Sequence, residues 1–479
     1  MRVLLIQPDY QVAGFGFRLA AMPEPLALEI LAACLGDHEV RILDMRIDSD
    51  LAGALEEFRP ALVAITALTT EVYTARDVLR AVKEHNPETW TVVGGHHCTL
   101  VPEDFEVPQV DAIALGEGEF VFPHLVAALA RGQPLRGVAN VIWKDRDGRF
   151  VRNRRVIPRG RSMDGVPLPR RDLVRQYREH YFFLFDKPDS SVATGRGCPY
   201  RCSFCSVHEF YDGRTRQMSA RRVLEEIRLV ETRHITFVDD NFLMNVRRER
   251  ELADLIAAEG IAKSFSMEAR TDTIARHADL VEKWVDIGLY AVLLGLEGAS
   301  DDVLAGVNKS NAVAVNDEAI RILKDNGVII WGAFLVDPNW TADDFRRLHD
   351  YVRRNEITHT QFTVLTPLVG TELYRRRIGD LLTRDYTCYD TLHAVVPTRL
   401  DRVEFYQRLA NLYRQSDLGP YYDLVREGKL TIEDVRRGKR MLDAMGRWEN
   451  YLDRDPVLGP ARRPGERPAP ALVGSAGVA

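Results

Sequence analysis

Short, continuous runs of apolar and β-branched residues alternate with helix-period stretches along most of this chain, and the alternation occurs twice. In the first pass the strand-like runs are Arg2–Gln7, Glu39–Asp44, Leu62–Ala67, Trp90–Gly95 and Ala112–Gly116, separated by stretches such as "EPLALEILAACL" and "EVYTARDVLRAVKEH". Strands that are apolar throughout must be covered on both faces, and helices between them supply that cover. Residues 1–136 therefore predict an N-terminal doubly wound, Rossmann-like α/β domain with a parallel sheet. Ligands in such sheets sit beyond the carboxyl ends of the strands, where "VVGGHHCTLVPED" and "LGEGEF" fall.

Residues 137–157 carry a hairpin signal with "DRDG" at the turn, and a charged, proline-containing connection completes a linker over 137–189. The second pass covers 190–375, with runs at Ser191–Thr194, His234–Asp239, Ser264–Arg270, Tyr290–Glu297, Ile329–Val336 and Thr360–Pro367. Six β/α repeats suit a partial (β/α)6 barrel, whose chemistry belongs at the C-terminal strand ends. Asp239, Asp240, Glu268, Arg270 and Glu297 recur at that end. Residues 376–455 read as a helical C-terminal region that caps the barrel or completes a substrate wall. Residues 456–479, rich in Pro, Gly and Ala, read as a disordered tail.

The net charge of −6 over 479 residues gives no electrostatic reason to bind nucleic acid. The longest apolar runs, "VIIWGAFLV" and "ALVAITAL", are strand-length, so no transmembrane segment is expected. Six scattered cysteines form no disulfide framework, and the start "MRVLLIQPDY" reads as a buried strand rather than a secretion signal; together they predict a cytoplasmic protein.

Three of those cysteines, Cys198, Cys202 and Cys205, crowd into "GRGCPYRCSFCSV" directly after the first barrel strand. Three thiolates at this spacing reach three corners of a 4Fe-4S cube and leave one iron free for a small chelating molecule. Pro199 stiffens the loop, and Gly195 and Gly197 allow close backbone approach. A structural zinc site needs four closed ligands, and His208 is the one conceivable fourth nearby. Cys34, Cys98 and Cys388 read as structural thiols, Cys388 with an alternative as a substrate-shaping group.

"GRGCPYRCSFC" resembles the signature of the radical S-adenosylmethionine superfamily, and "ITFVDDNF", "GLEGASDDVLAGVNK" and "LTPLVGTELY" are similar to segments of its members that carry an N-terminal cobalamin-binding domain. "TAL" at 66–68 and the Gly94-Gly95 pair resemble the Ser-x-Leu and Gly-Gly elements of cobalamin domains. The resemblance implies that Cys198, Cys202 and Cys205 hold the cluster and that the methionine moiety chelates the free iron. It implies that Asp239, Glu268, Arg270 and Glu297 hold the polar groups of S-adenosylmethionine, with Phe204 presenting its backbone to adenine. Thr66, Leu68, Gly94, Gly95, Gly116 and Glu117 become the expected cobalamin contacts. One departure stands out: "DMRIDS" places Arg46 where methionine-synthase-type domains put a cobalt-ligating histidine, so no protein histidine from this position reaches cobalt. His96 and His97 follow the Gly-Gly turn and are expected as loop histidines near the nucleotide tail.

The function implied is radical C-methylation of an unactivated carbon through a 5′-deoxyadenosyl radical and methylcobalamin. The overall flavour is most similar to bacterial hopanoid 3-methylases, with a small-molecule or lipid substrate, contact with a membrane surface and a one-electron donor such as flavodoxin or ferredoxin. If the substrate is lipid, apolar faces at 10–21 and 380–415 should line its path. Two other readings stand beside this one: a cobalamin-dependent cyclase or ring-rearranging enzyme without methyl transfer, and a non-catalytic cobalamin or redox sensor.

Overall fold

The computed structural model describes residues 1–10, 19–158, 160, 162–184, 186–357, 359–414, 418–428 and 430–459. The tail expected from residue 456 lies mostly outside the described residues, as does most of the 10–21 stretch.

Two large sheets organise the chain, and each strand expectation is met to within three residues at either end. The first sheet runs β1 (Arg2–Gln7), β2 (Glu39–Asp44), β3 (Leu62–Thr66), β4 (Trp90–Gly94) and β5 (Ala112–Ala114), in the spatial order β2-β1-β3-β4-β5 and all parallel. Val3 and Leu5 face one helical layer, Leu4 and Ile6 the other, so both faces of β1 are core.

The hairpin assigned by sequence to the linker belongs to this sheet. β6 (Val141–Lys144) pairs antiparallel with β5, Ala112 opposite Trp143, and β7 (Phe150–Arg152) pairs with β6. The reason is edge satisfaction: β5 would otherwise expose a row of unpaired backbone groups. Part of the connection after the hairpin, the 3-10 segment Arg171–His180, packs Val174 and Tyr177 into the first domain's core.

The second sheet, β8 (Asp189–Val192), β9 (His234–Phe237), β10 (Ser264–Ala269), β11 (Leu289–Glu297), β12 (Ile329–Val336) and β13 (His359–Val364), is parallel in sequence order, giving the open six-stranded barrel. Outward residues such as Phe265, Met267 and Leu294 pack on the helical jacket. Inward residues are polar low in the lumen, where Thr236 bonds Asp189 at 3.0 Å and Ser266 at 2.8 Å.

The C-terminal helices cap the barrel, and the last two line a small cavity of about 30 Å3 with Trp331 and His359. Helix Arg402–Arg414 completes the outer layer: the Tyr413 hydroxyl accepts from Phe362 N–H at 2.9 Å and donates to its carbonyl at 2.7 Å. The helices Gly419–Arg426 and Ile432–Met445 cover the N-terminal strand ends, packing Tyr421 and Val435 near Trp331. Many apolar residues of 380–415 are likewise consumed in cores, Tyr389 and Val395 among them, while Leu382 is 41% exposed. Among the described residues, no helix is long and apolar enough to cross a membrane.

Candidate functional site

The three-cysteine loop leaves β8 through a short two-stranded ribbon, Gly195–Arg196 against Arg216–Gln217. Gly197 takes φ +79°, and a Cβ there would collide with the Arg214 carbonyl, so glycine is required for the turn into the loop. Inside the loop Cys205 N–H donates to the Cys202 carbonyl at 3.1 Å, and Ser203 N–H donates to Val307 at 3.0 Å. The three thiols are partly buried and feel one another electrostatically; burial pushes all three up, Cys205 to about 12. The cations Arg270 and Lys309 oppose that for Cys202, and Arg270 does so for Cys198. Three thiols on one loop, with Arg270 and Lys309 near enough to favour their thiolate forms, are a donor set that suits an iron–sulfur cluster.

Arg270 is fixed from three sides. Its Nε donates to Asp272 at 3.0 Å and its Nη2 to the Lys309 carbonyl at 2.9 Å, while its guanidinium lies 3.5 Å from the ring centre of Tyr200 in the cysteine loop. Glu297 ends β11 at φ +61°, beside a register shift, and accepts from Lys309 Nζ at 2.6 Å; both are buried. Glu268 faces the lumen, open to solvent there yet surrounded by protein, with Asp240 and Glu297 nearby. Burial first, then Asp240, pushes its carboxyl up to about 8. Phe204 is half-buried in the loop.

Asp239 does not join this group. Its carboxylate accepts from the Thr194 N–H and hydroxyl, both at 2.6 Å, which fastens the start of the cysteine loop. The next residue, Asp240, turns toward the site instead and accepts from Gly197 N–H at 3.1 Å. Lys309 is a site residue that sequence reasoning does not single out, although it ends the "GLEGASDDVLAGVNK" segment. Its role depends on the loop after β11 folding back over the lumen, which no local pattern encodes.

Between the two domains lies a cavity of about 280 Å3. Its floor is the strand ends of the first sheet, including Thr66, Gly94, Gly95 and Gly116, and its roof is the cysteine-loop helix Val207–Phe210 with Tyr211, Arg196 and Asp240. An apolar arm runs between Leu5, Ala64 and Val92 on the sheet and Leu28, Leu31 and Phe122 on the helices. Thr66, Gly94, Gly95, Gly116 and Glu117 thus share one chamber. Leu68 does not: it is half-exposed and caps a short turn, its N–H donating to Glu71 at 2.8 Å.

The two histidines part ways. His97 is fully buried, held by Thr69 at 3.1 Å and Asp104 at 3.0 Å. His96 lines the cavity, bonds Ser206 at 2.9 Å and stacks on Phe210 with centroids 5.3 Å apart; burial lowers its pKa to about 4. Arg46 is committed to Asp44, Tyr10 and the Pro23 carbonyl, which leaves its guanidinium no free fork for a ligand.

Residues 17–126 match the B12 binding domain family and residues 192–352 the Radical SAM superfamily. Over 397 residues the chain is 32% identical to hopanoid C-3 methylase of Methylococcus capsulatus, covering 81% of this chain and 75% of that protein. It is 29% identical to an uncharacterized methyltransferase of Pyrococcus horikoshii, covering 91% and 95% respectively. The fold is shared with the cobalamin-dependent S-adenosylmethionine radical enzyme OxsB (TM-score 0.70, 16% identity, 93% of this chain and 70% of that one). The chain belongs to the radical S-adenosylmethionine enzymes with an N-terminal B12-binding domain, whose cofactors are cobalamin, a 4Fe-4S cluster and S-adenosylmethionine.

Proposed function

We propose that this cobalamin-dependent radical S-adenosylmethionine methyltransferase places a methyl group on an unactivated carbon of a flat, apolar polycyclic lipid of the hopanoid type. The observation that carries the reading is the shared cavity, which has first-domain strand ends on one side and the cysteine loop on the other. The relation to hopanoid C-3 methylase supports the lipid class.

When bound, the cofactors supply reductive cleavage of S-adenosylmethionine to a hydrogen-abstracting 5′-deoxyadenosyl radical, and a methyl group from methylcobalamin. The protein's part is holding and orienting. Cys198, Cys202 and Cys205 would ligate the cluster, with Phe204 between them offering backbone to adenine. Glu268 and the Glu297–Lys309 pair would receive the ammonium, carboxylate and ribose of S-adenosylmethionine, and Arg270 would hold the loop in register through Tyr200. Thr66, Gly94, Gly95 and Gly116 would carry the corrin, and the apolar arm beneath Leu28, Leu31 and Phe122 suits a flat aromatic base. With Arg46 locked on Asp44, no side chain at that position would reach cobalt.

The test is anaerobic reconstitution with iron, sulfide and hydroxocobalamin, then incubation with reductant, a hopanoid and methyl-labelled S-adenosylmethionine. Label in the hopanoid, with deoxyadenosine and S-adenosylhomocysteine formed by wild type but not by Cys202→Ala, is the expected result. Turnover with no transferred label would replace this reading with a cyclase or rearrangement. No cleavage by protein with an intact cluster would leave only the sensor.

A further inference from the structure

Residues 152–161, "RNRRVIPRGR", hold five arginines and no acid in a chain whose net charge is −6. Arg159 and Arg161 lie outside the described residues. Arg152 is neutralised by Glu106 at 2.5 Å and Glu103 at 2.9 Å. Arg154 and Arg155 are exposed, and among the described residues neither has a carboxylate partner; the same holds for Arg214. Some exposed arginines elsewhere are paired along their own helices, as in Arg321 with Glu318, and others such as Arg131 and Arg233 are not, among the described residues; what sets Arg154, Arg155 and Arg214 apart is that one strap carries or contacts all three.

The segment is not a loose arm. Asn140 N–H donates to the Arg154 carbonyl at 3.0 Å, and the Asn140 side chain brackets Val156 with bonds of 2.6 and 2.7 Å. Arg214 then donates to the Pro158 carbonyl at 3.3 Å, and Met163 N–H donates to Gln217 at 3.0 Å. The strap is thereby tied to the ribbon that launches the cysteine loop, where the Arg214 backbone abuts Gly197, one residue before Cys198. Val156, 42% exposed, is the large apolar side chain that this surface presents.

We propose that Arg154, Arg155 and Arg214 form the docking surface for an acidic one-electron donor protein of the flavodoxin type. The proposal rests on the radical reading above, which requires one electron per cleavage to enter the cluster. In docking, the reduced donor loses that electron and the cluster gains it, with no covalent bond made or broken between the proteins. Unpaired positive charge raises the encounter rate with an acidic partner and orients it. Proximity to the cysteine loop favours a redox protein over a lipid surface, since a membrane contact would not need it. A membrane-seated surface would also carry several aromatic or leucine side chains, where this one offers Val156.

The experiment uses full-length reconstituted protein and compares wild type with Arg154→Glu/Arg155→Glu, Arg214→Glu and the conservative Arg154→Lys/Arg155→Lys. S-adenosylmethionine cleavage is driven either by dithionite or by a purified flavodoxin with its reductase. The charge reversals are expected to raise the flavodoxin concentration for half-maximal rate by about tenfold or more and to flatten its salt dependence. Dithionite-driven cleavage stays at the wild-type rate, and the lysine variant keeps flavodoxin dependence near wild type. An unchanged flavodoxin dependence in the reversals overturns the docking surface alone. So does loss of binding to phosphatidylglycerol vesicles without any change in flavodoxin dependence, which would assign the patch to a membrane. Failure of wild type to cleave with dithionite overturns the radical reading and this proposal with it.

Discussion

Arg196, two residues before Cys198, reaches Glu119 at the start of a first-domain helix at 3.0 Å, and its ribbon partner Arg216 pairs with the neighbouring Glu117. The two glutamates of "LGEGEF" thus hold the cysteine loop against the strand ends of the other domain. A loop gripped from both domains keeps the cysteine-loop side and the first-domain side of the cavity in fixed relation.

Removing one partner of that grip leaves a charge stranded in a mostly buried interface. Glu119→Gln is expected to cost about 3–5 kcal/mol, comparable to breaking other buried pairs. The Arg196→Met/Glu119→Gln double variant should cost less than Glu119→Gln alone, because no orphan charge remains. Chemical denaturation of the three proteins checks the order, and a double variant that is the least stable would refute it.

Gly95 sits at φ +101°, and a Cβ there would lie 2.5 Å from Thr66 Oγ1 and 3.0 Å from Ala67 N. Gly95→Ala must therefore shift the turn between β4 and the cavity. The expectation is a loss of a few kcal/mol in stability and much weaker retention of cobalamin through gel filtration, with iron content unchanged. Equal loss of iron and corrin would mean that the turn supports the whole fold rather than the cobalamin side.

Lys309 and Glu297 are a buried pair at the lumen. Lys309→Met is expected to weaken S-adenosylmethionine binding by about tenfold or more, equivalent to about 1.4 kcal/mol, with Lys309→Arg intermediate. Equilibrium binding to the reconstituted protein reads this directly, and wild-type affinity in Lys309→Met would remove the residue from the site.

His96 gives a signed pH dependence. Burial and the neighbouring His97 hold it neutral, with a pKa of about 4 against 6.5 when unfolded. The unfolded chain binds the extra proton first, so this contribution is fully present above pH 6.5 and is lost as pH falls from 6.5 toward 4. Its size is on the order of 3 kcal/mol. Stability of wild type minus that of His96→Gln, followed across that window, should decline with falling pH; a flat difference would contradict the neutral, buried imidazole bonded to Ser206.

Much of this was legible in the order of residues. Continuous apolar runs locate strands because burial on two faces leaves no alternative composition, and the three cysteines stand out because their spacing is local. Asp239 and Asp240 show where legibility stops. Both follow the same strand, yet one fastens Thr194 and the other faces the cavity. Which carboxylate turns inward depends on partners 45 residues away in sequence, and adjacent side chains near a strand end point in opposite directions.

The sequence by itself determined the two α/β units, the near-complete set of strands, the placement of three cysteines on the loop after the first barrel strand and the glycine turns, all written in periodicity, spacing or backbone permissiveness within a few neighbouring residues. Tertiary structure alone decided that the 141–152 hairpin closes the first sheet's edge and that Lys309 folds back onto Glu297. It also decided that Leu68 lies half-exposed outside the cavity lining and that Glu117 and Glu119 clasp the cysteine loop's ribbon. These are long-range pairings of charge and hydrogen-bonding capacity. Their energy exists only once distant segments have been brought together and water has been driven from between them.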